Sequence, residues 1–278
     1  MVEITDVTPE IRDWEFPVEK RDLFFYNEEK EQDVVTHMAV IRTDTGAVLG
    51  VVGKDYTILD HKDIVDMADL VLARHNHTRK VILTKNGARM FAKYRLTDYE
   101  IEIRPNDKVN PTITVMNSYD GSMRLTVEAG AFRLVCTNGL IVGKKLLRKV
   151  RKHLGASMAV LEHLEKHLLD AVAILEAVAP VWQKWGTQTI SKEQGVEILT
   201  DLGIPKKYEE AILENWNSLH IPVRTVWEAY NSITWVLSHN EDLGQVSVER
   251  VHDISFKAVS KFEENVEKME AGAVPVPA

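Results

Sequence analysis

The spacing of apolar and polar positions divides the chain into two regimes. From about residue 36 to 138 apolar residues alternate or form runs of strand length, and from about residue 143 onward they recur at the helical period. Residues 36–42 (THMAVIR) and 47–52 (AVLGVV) flank TDTG, which predicts a hairpin with Asp44 and Gly46 in the left-handed or bulged positions. Residues 61–74 set Ile64, Met67, Ala68, Val71 and Leu72 on one face behind Asp60 or the preceding turn as N-cap, so one amphipathic helix interrupts the strands. Strands then resume at 80–84 and 89–96, around KNGA, where Asn86-Gly87 is a strong hairpin signal. Further strands are predicted at 100–104, 112–117, 123–129 and 132–138, the middle pair joined by SYDGS with its Asp-Gly turn. Connections this short make the pairs antiparallel.

Helices are predicted at 143–154, 156–185, 191–202, 205–217, 223–239 and 247–270, broken at Gly155, Gly186, Gly203 to Pro205, Pro222 and Gly244. The fold class is therefore α+β: an N-terminal antiparallel β-meander with one packed helix, followed by an all-helical C-terminal half. The expected division is a loosely structured arm over 1–34, carrying Pro9, Pro17 and the charged run NEEKEQD, a β-rich core over 35–154, a helical region over 155–270, and a disordered tail rich in Pro and Gly over 271–278.

Composition narrows the class. Hydrophobic residues make up 45% of the 278, ordinary for a chain with a buried core. The single cysteine, Cys136, excludes an intrachain disulfide and suits a reducing compartment. No basic stretch followed by an apolar run opens the sequence, and no run reaches membrane-spanning length, so a cytoplasmic location without membrane contact is expected.

The net charge of −8 argues against a protein that coats nucleic acid with its whole surface. Local binding depends on grouping, and the cations are grouped in KKLLRKVRKH, residues 144–153. As a helix this run puts Lys144, Lys145, Arg148, Lys149, Arg151 and Lys152 within an arc of about 160°, opposite Leu146, Leu147, Val150 and Leu154. A phosphate backbone is held by such an array, because each neutralised phosphate releases counterions. A solvated face balancing acids elsewhere is the plainer alternative; residues 241–270 hold eight Asp/Glu against four Lys/Arg.

Other candidates carry less. Asp120-Gly121 with Asn117, Ser118 and Ser122 reads as hairpin chemistry, Cys136 as a small buried hydrophobe, and Thr137-Asn138-Gly139 as a strand-to-helix turn that aims the basic segment. His75 and His77 read as part of a polar loop. His163 and His167 are four apart on one helix face but lack a third ligand, so no metal is expected. Asp55, Asp60, Asp63 and Asp66 would suit a metal-dependent nuclease, but capping and a solvated face explain them more simply. Phosphate-loop, dinucleotide and nucleophile-elbow motifs are absent, and neither an enzyme nor a cofactor is expected.

VVGKDYTILDHKDI (51–64), the span from TVMNSYDGS to FRLVCTNGL (114–140), RKVRKH (148–153) and TVWEAYNSITWVLSH (225–239) resemble, in that order, the phage/plasmid-like family known as domain of unknown function 932. The family pattern carries over to Tyr56, Asn117, Asp120, Gly121, Arg133, Cys136, Thr137, Asn138, Trp227, Asn231, Thr234 and His239. This resemblance implies a bacteriophage or plasmid role beside recombination or replication, in a host cytoplasm, and brings no catalytic role for these positions. The order of hairpin, helix, meander and helix is also similar to the single-strand annealing domain of the recombination-mediator superfamily, in which subunits form rings or filaments around a basic groove; this is an analogy of fold alone.

The leading expectation is a single-stranded DNA-binding and strand-annealing protein, a homo-oligomer working with other phage or host replication and recombination proteins. The six cations of 144–152, with Arg124 and Arg133, would hold the backbone, and Tyr119 or Phe132 would stack a base. The alternatives are a mobile-element interaction protein that inhibits or recruits a host protein and, third, a metal-dependent nuclease.

Overall fold

A computed structural model describes residues 12–27, 30–133, 139–141, 148–151, 157–239 and 248–272. The α+β class holds: antiparallel strands with one helix come first and a run of helices follows. None of the described helices is long and apolar enough to cross a membrane.

The expected loose arm is different. Residues Val18–Asn27 form β1 and Lys30–Arg42 form β2, a hairpin whose base is joined by β3, Val48–Gly53. The consecutive apolar residues of 23–26 hide a strand from a period-two pattern, and the polar residues Lys30 to Asp33 resemble a loop until the ladder with Phe24 to Asn27 supplies the backbone bonds. At the second hairpin Gly46 takes φ +73°, and the Arg42 guanidinium bonds Asp44 at 2.8 and 3.0 Å while lying 3.9 Å over the Phe16 ring.

Helix α1 (His61–Leu72) leads to β4 (His77–Thr84), which therefore includes part of the expected RHNHTR loop; His77 packs edge-on to Tyr94 at 5.5 Å. The turn to β5 (Arg89–Leu96) takes positive φ at Lys85, Asn86 and Gly87, as the Asn-Gly signal requires. Short β6 (Ile101–Arg104) turns into long β7 (Asp107–Ser118), which pairs with β6 at its start and β5 at its end, and with β8 (Leu125–Arg133) on the other side. One strand with Gly130 inside it thus covers much of what the pattern divides into two, and residues 134–138 lie outside the described residues.

Gly139–Ile141 (β9) and Arg148–Arg151 (β10) both pair antiparallel with β8, so the described part of the basic run is a strand rather than a helix. The strand order of the large sheet is β10-β8-β7-β5-β4. Helical spacing of Leu146, Leu147, Val150 and Leu154 suggests a helix, but the ladder to Leu125–Glu128 is a long-range partner that no local period reveals.

The helices are α2 (Ser157–Thr187), α3 (Lys192–Leu199), α4 (Lys206–Ser218), α5 (Val226–Ser238) and α6 (Val248–Glu270). Starts match chemistry where a cap exists. Ser191 and Gln194 form a capping box on α3, and Thr225 caps α5. The helices share one core with the sheet: Ile113, Val115 and Val127 belong to the same buried cluster as Ile64 and Val65 of α1, Leu164 and Leu168 of α2, and Trp227 of α5. A smaller cluster of Phe16, Val40, Leu49, Val52, Ala88 and Tyr119 joins the three-stranded sheet to the turn end of the large one.

Candidate nucleic-acid interface

The basic run meets the body at the end of the sheet's strand order. Register sets Arg148 opposite Glu128, Lys149 opposite Val127 and Arg151 opposite Leu125, so these three described positions alternate between the two faces of the sheet rather than sharing one helical arc. Lys144, Lys145 and Lys152 lie outside the described residues, as do Cys136, Thr137 and Asn138. Phe132 and Arg133 fall at the end of β8, opposite Asn110 and Val109 of β7. Arg124 is exposed just before β8.

The motif around SYDGS occupies a buried junction. Tyr119 is fully buried, accepts a hydrogen bond from the His61 backbone N–H at 2.8 Å, and lies 4.1 Å from the His61 ring. No face is left on which a base could stack, which corrects the expected role of Tyr119. The expected hairpin turn of NSYDGS forms, with Gly121 and Ser122 exposed; the burial of Asn117, Ser118 and Tyr119 comes from partners far away in sequence. Asn117 donates through Nδ2 to Leu59 O at 2.9 Å and to His61 Nδ1 at 3.0 Å. His61 Nε2 faces the Gly87 carbonyl at 3.0 Å, so both contacts are met by the neutral imidazole with its proton on Nε2. Tyr56 donates to Ser118 O at 2.6 Å, and burial pushes its phenol above the ordinary range.

Asp120 closes the same junction. Its carboxylate accepts from Arg89 Nε at 2.8 Å and from the Ser122 backbone N–H at 2.9 Å. Burial alone would raise this carboxyl, but the hydrogen bonds from Ser122 and Arg89 together outweigh it and hold it below its ordinary value. A carboxyl lowered in the folded state contributes stability above its unfolded value and loses it as pH falls through the folded one. Asp120→Asn is therefore expected to cost about 1–2 kcal/mol at neutral pH. Urea titrations of both proteins should converge as pH falls through the folded-state value, where the native carboxyl is protonated as well. A constant difference across pH would refute the charge-based account.

In the helical half, Trp227 is buried and donates to Asp107 Oδ2 at 2.9 Å, Asn231 donates to Trp227 O at 2.6 Å, and Thr234 donates to Asn231 O at 3.2 Å. These motif residues support α5 and its seat on β7. His239 is different: it is exposed and stacked on Trp235 at 5.1 Å and 18°. Trp235 is 43% exposed, whereas the other five tryptophans are buried. Sequence reading missed Trp235; the available signal is its place on the polar side of α5, between the buried positions Thr234 and Val236.

The motifs thus fall into a buried junction between the sheets, a sheet-to-helix seat and the ladder against β8. A family profile described as "Domain of unknown function (DUF932)" matches residues 48–272. The chain belongs to the DUF932 family. The DUF932 match runs from the start of β3 to the end of α6 and leaves the β1–β2 hairpin before it. No curated protein and no solved structure matches the chain.

The His163 and His167 rings lie 6.4 Å apart, edge to face, and no group of three or more His, Cys, Asp or Glu among the described residues could hold a metal ion. Asp66 is bound by Arg12 and Lys62, while Asp60 stands at the N-cap of α1 without a side-chain capping bond.

Proposed function

We propose that this chain is a phage- or plasmid-type protein that binds single-stranded DNA and anneals it to a complement. The observation that carries the reading is the place of the acid-free basic run: in a chain of net charge −8, its described part is a strand at the end of the large sheet's strand order. The backbone of Arg148–Arg151 is held by the sheet, so only side chains remain to be ordered there against a phosphate chain. Contacts to phosphates leave the bases open for pairing, as annealing requires. With Tyr119 buried, Trp235 on its His239 platform becomes the base-stacking candidate, worth about 1–3 kcal/mol per base. Assembly into a ring or filament belongs to the same reading.

Charged edge strands also protect a sheet from pairing with other chains, so the experiment must separate binding from protection. The expected result is retention of single-stranded oligonucleotides in a mobility-shift series, weakening steeply with salt and showing little sequence preference. Replacing Lys145, Arg148, Lys149 and Lys152 together by Ala should abolish retention; because Arg148 stands opposite the buried Glu128, a second variant replaces Lys145, Lys149 and Lys152 alone and should weaken retention at a nearly unchanged melting temperature. If fewer phosphates are still held, the slope of log affinity on log salt should fall by about 0.7 for each lost contact. Unaltered affinity in the quadruple variant overturns the reading. Magnesium-dependent cleavage of the oligonucleotide would favour the nuclease, and mass photometry on the same samples reports assembly.

A further inference from the structure

In an antiparallel sheet, residues directly opposite one another share a face. Two registered rows cross β4, β5 and β7: Thr78–Arg95–Thr112 and Lys80–Lys93–Thr114. The row between them, Arg79–Tyr94–Ile113, belongs to the other face, where Tyr94 and Ile113 are buried in the core shared with the helices. The six positions of the two outer rows hold three cations and three hydroxyls, with no carboxylate. Thr78, Lys80 and Lys93 are exposed, and Arg95, Thr112 and Thr114 are half-buried.

Exposed parts of a sheet are polar as a rule, and on this face they are confined to these rows, since Phe91 and Met116 of the next row are buried. The two rows have a feature that solvation does not explain. Lys80 and Lys93 are a directly opposed pair of like charge, which destabilises a ladder. An anion between the two ammonium groups removes the repulsion and gains charge-assisted hydrogen bonds. The row continues from Thr114 to Glu128 and on to Arg148 of β10, four strand spacings or roughly 19 Å from Lys80. Glu128 is buried within it and is matched by Arg148 in register.

We propose that the sheet face bearing Lys80, Lys93 and Arg95 is a second contact surface for the sugar-phosphate backbone of single-stranded DNA, in line with the basic edge strand. This rests on the reading of the preceding subsection and adds to it a path across the sheet. The hydroxyls of Thr78, Thr112 and Thr114 suit phosphate oxygens between the cations.

The test is fluorescence anisotropy of a labelled oligothymidylate over a salt series, with the full chain, K80Q/K93Q and K80R/K93R. The Gln pair is expected to bind about tenfold more weakly at low salt, with the log-log salt slope flatter by about 1.4, two contacts at about 0.7 each. The Arg pair keeps the wild-type values. Because the Gln pair loses a repulsion, it should melt no lower than wild type, and a lower melting temperature would overturn the argument from like charge. Wild-type binding with unchanged affinity and slope in K80Q/K93Q overturns this inference and leaves the DNA-binding reading intact. No binding by the wild-type chain overturns both.

Discussion

Trp227→Ala is expected to cost about 3–5 kcal/mol, the range for removing a large buried aromatic side chain. Trp227 is fully buried, stacks on Tyr230 at 5.4 Å, and tilts against Trp182 at 6.1 Å. Its indole N–H also crosses from α5 to Asp107 at the start of β7. Around that bond Arg104 reaches Asp107 at 3.3 Å and pairs with Glu228, one residue along α5. The seat between sheet and helices is thus an aromatic stack closed by a charged network. Its loss should lower the unfolding midpoint of strand and helix signals together, because one buried cluster serves both. If Trp227→Ala is too unstable to purify, Trp227→Phe keeps most of the stack and removes the N–H, at about 1–2 kcal/mol. Far-ultraviolet circular dichroism and the exchange of β7 amides, followed through urea, report the two halves. Separate midpoints, or a loss below about 1 kcal/mol in the Ala variant, would refute the shared seat.

What could be read from the sequence was set by how local the cause is. The β4–β5 hairpin is local: with Asn86-Gly87 as the turn and Thr84 opposite Arg89, counting outward puts Lys80 opposite Lys93. The lysine pair was therefore legible, although the face it lies on depends on where the helices pack. Caps are local too, and Ser191 and Gln194 stand where their spacing puts them. The basic run failed this test. Its apolar residues fit a helical stripe, and only Leu125–Glu128, twenty or more residues earlier, make its described part a strand. The Asp-Gly turn of NSYDGS was legible and Gly121 takes φ +68°, but the burial of Asn117 and Tyr119 was not, since Leu59 O, His61 and Ala88 O, which meet them, come from other elements. Family motifs in this chain chiefly mark places where distant segments meet, and exposed cations and Trp235 are better guides to a ligand.

Gly195 gives a case in which local propensity and packing predict opposite signs. It lies inside α3, where replacing glycine by alanine ordinarily adds about 0.5–1 kcal/mol of stability. A Cβ on Gly195 would fall 2.0 Å from Cζ2 and 2.2 Å from Cε2 of Trp216. That ring cannot swing aside cheaply: Trp216 is fully buried, its Nε1 donates to Lys192 O at 3.0 Å, and the Arg224 guanidinium lies 5.3 Å over the ring. Overpacking of this kind costs about 1–3 kcal/mol and more where neighbours are pinned, which outweighs the gain in helix propensity. Gly195→Ala should therefore destabilise by about 2 kcal/mol in urea titration. Adding Trp216→Leu, itself destabilising, frees the space that the new methyl needs, so the two changes should couple favourably in a double-mutant cycle. A stabilised Gly195→Ala, or strictly additive effects with Trp216→Leu, would show that α3 and α4 are not held together by the indole lying on the glycine.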